Sequence, residues 1–297
     1  MMKNPMTDFD AILITGPTAS GKSARALELA RRHDGVVINA DSMQVYDTLS
    51  VVTARPSQAD MDGVPHLLYG HVPAGAAYST GDWLREVADV LADCRRQGRL
   101  PIIIGGTGLY FRALTGGLSE MPPISAATRE RFRQRADSEG PECLHAELMQ
   151  RDPGMAARLN PADGQRIIRA LEVLEETGRS IAYFQEKTGP MLVDPHSALK
   201  MVVLPDRALL HSRINRRFAA MMEEGAVEEV RALLAQSLPA DLPVMKAIGV
   251  SQIAAMLNGT LSRAEAVEQA SAATRQYAKR QMTWFRNQMD ESWERVS

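Results

Sequence analysis

Short apolar runs and amphipathic stretches alternate along the first hundred residues. Ala11–Thr15, Val36–Asn39 and Pro101–Ile104 are mainly apolar runs of strand length, the pattern of strands buried on both faces of a parallel sheet. Ser23–Arg32 reads as a helix between the first two. Trp83, Val87, Val90, Leu91 and Cys94 recur at helical spacing in a second helix, capped by Ser79 or Thr80 and stopped by Gly98 after about Gln97. This alternation predicts βαβ units and hence an α/β fold.

Beyond Gly116 and Gly117 the pattern changes. Residues 118–190 are rich in Arg and Glu, carry helical patterning and contain no strand signal, so a helical insertion is expected. Leu199–Leu204 is an apolar run that returns the chain to the sheet, and helices are expected from Arg207 to the end. The last opens at the capping-box pattern Ser262 to Glu265 and continues towards Gln288. The expected organisation is a sheet core from residues 1–117 and 191–297, with a helical C-terminal region, and an insertion at 118–190.

Hydrophobic residues make up 45% of the 297, which excludes a disordered or fibrous chain. Cys94 and Cys143 are too few for a disulfide framework and lack the spacing of a zinc site, so a reducing, cytoplasmic setting is expected. Met1–Asp10 carries no long apolar run, and no later stretch reaches the roughly 18–20 apolar residues of a membrane span. Thirty-four basic against 36 acidic residues give a net charge of −2, so a nucleic acid must be held by local patches and shape.

Gly16, Pro17, Thr18, Ala19, Ser20, Gly21, Lys22 and Ser23 match G-x-x-x-x-G-K-[ST] directly after an apolar strand and directly before a helix. Glycines let the backbone wrap a phosphate, while loop amides and the helix N-terminus supply partial positive charge. Lys22 adds a full charge, and the Ser23 hydroxyl is a ligand for Mg²⁺. The core is therefore expected to be P-loop NTPase-like. Bound pyrophosphate can be donor or leaving group, because Lys22 and Mg²⁺ stabilise developing negative charge in either reaction. The strand at Ile102 ends in glycines where an NTPase often carries Asp, which weakens an ATPase reading.

Asp41 follows the second strand, near the carboxyl edge where α/β sheets build their sites. A carboxylate there takes a proton from a nucleophile, ligates Mg²⁺ through water, or caps a turn. Pro101–Ile104 opens in the same way into Gly105, Gly106, Thr107 and Gly108, which makes Thr107 a second site candidate or a helix cap. In the terminal helix Arg275, Lys279 and Arg286 project in nearly one direction, with Tyr277 and Trp284 interleaved and no acidic residue from Thr274 to Arg286. Such a stripe suits an RNA backbone and a stacking base, or an ordinary solvated face. Arg166 and Arg169 lie one turn apart, as do Arg213 and Arg217. Surface ion pairs explain both pairs, but the second follows a sheet strand and would reach a leaving pyrophosphate if its helix turned inward.

Taken together, GPTASGKS at Gly16–Ser23, DSMQVY at Asp41–Tyr46, TARP at Thr53–Pro56, GGTGLY at Gly105–Tyr110, NPADGQRIIRALEV at Asn160–Val173 and TRQYAKRQMTWFR at Thr274–Arg286 resemble the bacterial tRNA dimethylallyltransferase family, the isopentenyl-tRNA transferases. The resemblance implies transfer of a dimethylallyl group from dimethylallyl diphosphate to N6 of adenosine 37, beside the anticodon of tRNA, with release of pyrophosphate. It implies Asp41 as general base, Thr107 as a positioning group, and Thr18–Ser23 holding the diphosphate with Mg²⁺ as the only cofactor. Arg217, with Arg213, would neutralise the leaving group. The family's contacts with the tRNA anticodon stem-loop fall on Asp41, Ser42, Met43 and Gln44, on Arg129, on Gln165, Arg166, Ile167, Ile168 and Arg169, and near Lys246 to Ser251. The same resemblance strengthens Arg275, Lys279 and Arg286 as RNA contacts, and the chain is expected to act as a monomer.

Two differences from the family pattern stand out, and a third feature sets the chain apart from the family's eukaryotic branch. Ala247-Ile-Gly249 continues with Val250 and Ser251 where the family has tyrosine and a basic or polar residue; the family's paired histidines appear as His66-Leu67; and no zinc-finger pattern follows. His66 is accordingly expected to pack or turn the chain. Competing readings are a small-molecule P-loop kinase, a prenyltransferase acting on free AMP, and a non-catalytic RNA-binding regulator that senses nucleotide.

Overall fold

The computed structural model describes residues 9–297; residues 1–8, most of the Met1–Asp10 stretch read above, lie outside it. The chain runs through β1 (Ala11–Thr15), α1 (Lys22–Arg32), β2 (Gly35–Asn39), α2 (Gln58–Met61), β3 (His66–Leu67), α3 (Thr80–Gln97), β4 (Leu100–Gly105) and α4 (Gly108–Gly116). Then come α5 (Ala126–Glu139), α6 (Pro141–Arg151), α7 (Pro153–Ala156), α8 (Gly164–Thr177) and α9 (Ile181–Gln185). The remainder is β5 (Ala198–Val203), α10 (Arg207–Glu223), α11 (Ala226–Ala235), α12 (Val250–Leu257), α13 (Arg263–Gln288) and β6 (Glu294–Val296).

These elements form two compact units, one running to Thr115 and resuming at Leu192, the other Gly116–Met191. In the first, six parallel strands pair in the order β3-β2-β4-β1-β5-β6. Ile12 and Ile14 of β1 pack with Val37, Ile102 and Ile104 against Ala26 and Leu29 of α1. Leu13, Ile38 and Ile103 turn to the opposite face, against Trp83 and Val87 of α3 and Phe285 of α13. Side chains alternate across a strand, so two-sided burial demands the unbroken apolar runs seen in the sequence.

Ser79 caps α3 and Ser262 caps α13, each in a reciprocal bond with the acid three residues on. Two strands depart from the expected pattern. β3 is a two-residue edge strand containing His66, whose Nδ1 lies 2.8 Å from the Val64 carbonyl oxygen. Helices were expected to the end, yet the chain closes in β6, where Leu204 N–H donates to Val296 O at 2.7 Å and Trp293 is buried. Three residues of mixed polarity carry no strand period; the free edge of β5 makes them one.

The second unit packs Phe132 of α5, Leu144 and Leu148 of α6, and Ile167 and Leu171 of α8 into its own core. Arg131, Arg135 and Arg151 interlock with Glu139, Glu147 and Glu175 over its surface.

Candidate active site

The site opens at the carboxyl ends of β1, β2 and β4. After Thr15 the chain turns through Gly16–Gly21 into α1. A β-carbon on Gly16 would stand 2.5 Å from the Val203 carbonyl oxygen of β5, so a larger residue would push the loop off the sheet. Ala19 and Gly21 are left-handed, with φ of 62° and 97°. Gly21 is the N-cap of α1 and has no side chain to occupy the first helical N–H groups, which stay open to an anion. Ser20 Oγ is buried and, among the described residues, has no hydrogen-bond partner. A buried orphan hydroxyl beside open amides suits an oxyanion.

Lys22 Nζ donates to the Pro17 carbonyl at 3.2 Å. Burial in the cleft lowers its pKa from 10.5 to about 8, with Asp41 opposing the shift and Arg217 adding to it. An anion on the loop restores the charged form, which couples binding to protonation. Affinity for a simple alkyl diphosphate, whose own protons are lost well below pH 8, is expected to stay level up to about pH 8. Above that it should weaken by as much as roughly tenfold per pH unit. Calorimetry at pH 8.5 in two buffers of different ionisation enthalpy should register uptake of roughly half a proton or more; none taken up would mean Lys22 is already charged in the free cleft.

Asp41 is set by β2. Asn39, fully buried, accepts from the Asp41 N–H through Oδ1 at 2.9 Å, and its Nδ2 donates to the carbonyls of Asp41 and Leu68 at 3.1 and 2.9 Å. Trp83 Nε1 holds the Asn39 carbonyl at 2.7 Å. Asp41 Oδ1 accepts from the Met43 N–H at 3.0 Å, the turn-capping bond, which leaves Oδ2 available to the cleft. From the neighbouring strand, Thr107 Oγ1 accepts from the Ser42 N–H at 3.0 Å and donates to Ser42 Oγ at 3.3 Å. Gly105 permits this approach, since a β-carbon there would fall 2.0 Å from the Ala40 carbonyl oxygen.

Arg213 and Arg217 of α10 point into the same cleft. Arg213 Nη1 donates to Ser20 O at 3.3 Å, and Arg217 Nη2 to Ala54 O at 3.5 Å. Burial pushes the Arg217 pKa down against the pull of Asp41 and Glu224, so its guanidinium is a poorly hydrated cation. Thr18–Ser23, Asp41, Gln44, Tyr69, Arg213, Arg216 and Arg217 line one cavity of about 600 Å³.

Among the described residues no three His, Cys, Asp or Glu side chains gather as a metal cage. The donors present are the Ser23 hydroxyl and one carboxylate, Asp41, in a cleft lined with cations. That set fits Mg²⁺, which is commonly carried by one or two protein oxygens, substrate phosphates and water.

The RNA candidates divide. Gln44 lines the cleft, but its Nε2 is spent on the carbonyls of Thr53 and Ala54 at 2.9 and 3.0 Å. Met43 is partly buried against the α10–α12 core, and Lys246 is exposed. Arg275 does not stand free beside Lys279 and Arg286: Asn215 and Glu268 hold it at 2.6 and 2.8 Å. Lys279, Arg280 and Trp284 instead line an open groove on α13, and Arg286 is exposed. In the insertion unit Arg129, Gln165 and Arg166 are exposed, with Arg166 paired to Asp163 and Arg169 to Glu172. Ile168 is partly buried. Ile167 has no exposed surface and belongs to that unit's core, so its side chain is not an RNA contact. The helical period turns it inward while Arg166 faces out.

Three residues tied to the cleft are not singled out by the sequence. Tyr69 lines the cleft, and Glu229 of α11 accepts from the N–H groups of Ser50, Val51 and Val52 at 2.8–3.1 Å, bracing the segment that leads to Ala54. Gln281 of α13 bonds to both the phosphate loop and the turn after β4. Gln281 stands inside the TRQYAKRQMTWFR segment, but the distant backbone that it or Glu229 meets leaves no mark in the local spacing.

A family model described as IPP transferase matches residues 44–288, and one described as isopentenyl transferase matches residues 9–70. The tRNA dimethylallyltransferase of Allorhizobium ampelinum is 72% identical over 296 residues, spanning 100% of this chain and 97% of its own. The crystal structure of the full-length tRNA isopentenylpyrophosphate transferase from Bacillus halodurans aligns with a TM-score of 0.68 at 32% identity, over 97% of this chain and 89% of that one. That of a eukaryotic dimethylallyltransferase acting on tRNA aligns with a TM-score of 0.78 at 27% identity, over 93% and 69%.

Proposed function

The chain belongs to the IPP transferase family, and from that premise we propose that it transfers the dimethylallyl group of dimethylallyl diphosphate to N6 of adenosine 37 in tRNA. The observation that carries this reading is the sharing of one cleft by a phosphate loop, two half-buried cations and a carboxylate. The cations answer a departing diphosphate; the carboxylate answers an amine.

The allylic C–O bond breaks, the N6–C bond forms, the N6 proton passes to Asp41 and pyrophosphate leaves. An exocyclic adenine amine is a weak nucleophile, so proton removal as the bond forms is the useful contribution of Asp41. An allylic carbon tolerates positive charge, which makes stabilising the leaving group the larger task, and Lys22, Arg217 and Arg213 surround the loop that would hold it. The Ser20 hydroxyl and the open amides of α1 complete that cradle. Ser23 would hold Mg²⁺ together with the diphosphate, adding charge where pyrophosphate forms. The adenine has to leave its stack in the anticodon loop to reach the cleft. Lys246, Lys279 and Arg286 from the core, and Arg129, Gln165, Arg166 and Arg169 from the insertion, are proposed contacts of the anticodon stem-loop. A cytoplasmic monomer is the proposed working form, a reading supported by the presence of every cleft residue in one copy. Among the described residues no helix is long and apolar enough to cross a membrane.

The test incubates the protein with Mg²⁺, dimethylallyl diphosphate and unmodified tRNA, then digests the RNA for mass spectrometry. Adenosine heavier by one dimethylallyl group is the expected product. Prenylated AMP with unmodified tRNA, or ATP consumption, would replace this acceptor with one of the rival readings.

A further inference from the structure

Gln281 lies on the inner face of α13 and is almost fully buried. Its Oε1 accepts from the Thr18 N–H at 3.0 Å, and its Nε2 donates to the Gly106 carbonyl at 2.8 Å. One carboxamide therefore joins the phosphate loop to the turn that carries Thr107, which in turn holds the N–H of Ser42, the residue after Asp41. The turn is shaped to admit it: a β-carbon on Gly106 would stand 2.4 Å from Gln281 Nε2, and one on Gly108 would stand 2.2 Å from the Trp284 ring. The bond also takes Thr18 N–H out of the set of loop amides available to an anion.

Building on the transferase reading above, we propose that Gln281 is a positioning residue, setting the distance between the loop that holds the diphosphate and the edge that presents Asp41 to the acceptor. It touches neither substrate. Its two bonds require opposite polarities at the two ends of the carboxamide, an acceptor for Thr18 and a donor for Gly106, which among unbranched aliphatic side chains of this length only a protonated glutamic acid also supplies. When the reacting atoms must meet within a few tenths of an ångström, loosening such a strut lowers turnover more than binding.

The test uses the full chain with dimethylallyl diphosphate and a tRNA transcript, comparing wild type, Gln281→Met and Gln281→Glu well below their unfolding temperatures. Gln281→Met keeps the volume and loses both bonds. Its kcat is expected to fall about 10- to 100-fold, with KM for the diphosphate and affinity for tRNA within about threefold of wild type. The Gln281→Glu variant carries a pH signature. As an anion it repels the Gly106 carbonyl, whereas protonated it restores both bonds, so its rate relative to wild type should climb towards one as pH falls. Should Gln281→Met fail to fold, that pH profile decides alone. A Gln281→Met turnover within twofold of wild type, or a flat rate ratio for Gln281→Glu, overturns the positioning role. A wild-type protein that leaves tRNA unmodified overturns the transferase reading itself, and the role of Gln281 with it.

Discussion

Asp41→Asn is expected to lower kcat for tRNA prenylation by about 10²- to 10⁴-fold, the range lost when a positioned general base is removed. The substitution is chosen because asparagine still accepts the Met43 N–H through its oxygen, so the turn made by Asp41 Oδ1 survives. Asn39, Trp83 and Thr107 continue to hold the surrounding backbone. The change therefore separates the two roles open to this residue. Single-turnover rates, tRNA affinity and the thermal midpoint should be measured together. A rate loss under about tenfold with unchanged binding would make Asp41 a turn cap and move the proton acceptor elsewhere.

Lys22→Met is expected to act in two opposite directions. The full charge next to the leaving group disappears, and kcat/KM for the diphosphate substrate should drop by about 10²- to 10³-fold, as when one preorganised donor to a developing oxyanion is lost. The free protein should nevertheless become more stable. The folded state depresses the Lys22 pKa to about 8, which means it disfavours the charged form relative to the unfolded chain. At pH 7 that cost is present in full; for wild type it is relieved as pH rises from about 8 towards 10.5, where the unfolded chain binds more protons. Lys22 keeps some solvent contact, so the gain is on the order of 1 kcal/mol, or a few degrees in Tm. A scan in which Lys22→Met unfolds earlier than wild type at pH 7 would contradict the strained, desolvated lysine described here.

What could be read before the structure was whatever a few consecutive residues determine. Parallel strands buried on both faces announce themselves as apolar runs, as at Ala11–Thr15 and Pro101–Ile104. The capping boxes at Ser79 and Ser262 are bonds three residues long and stand in the sequence as such. The phosphate loop belongs to this class, because its shape follows from its own glycines and the helix that starts at Lys22. Asp41 could be nominated as well, since the end of β2 marks its place.

Tertiary structure decided which nominees share a site and which are spoken for. Arg213 and Arg217 enter the cleft because α10 turns one side inward, a choice the spacing of two arginines left open. Arg275 has the spacing of an RNA contact and is held by Glu268 and Asn215, while Ile167 sits inside a motif and has its side chain in a core. β6 exists only because β5 offers it an edge. Gln281 reaches Thr18 across 263 residues and Gly106 across 175. Local sequence sets backbone preference and periodicity over a few bonds, but a side chain's partner depends on surfaces brought together only when the whole sheet and its helices pack.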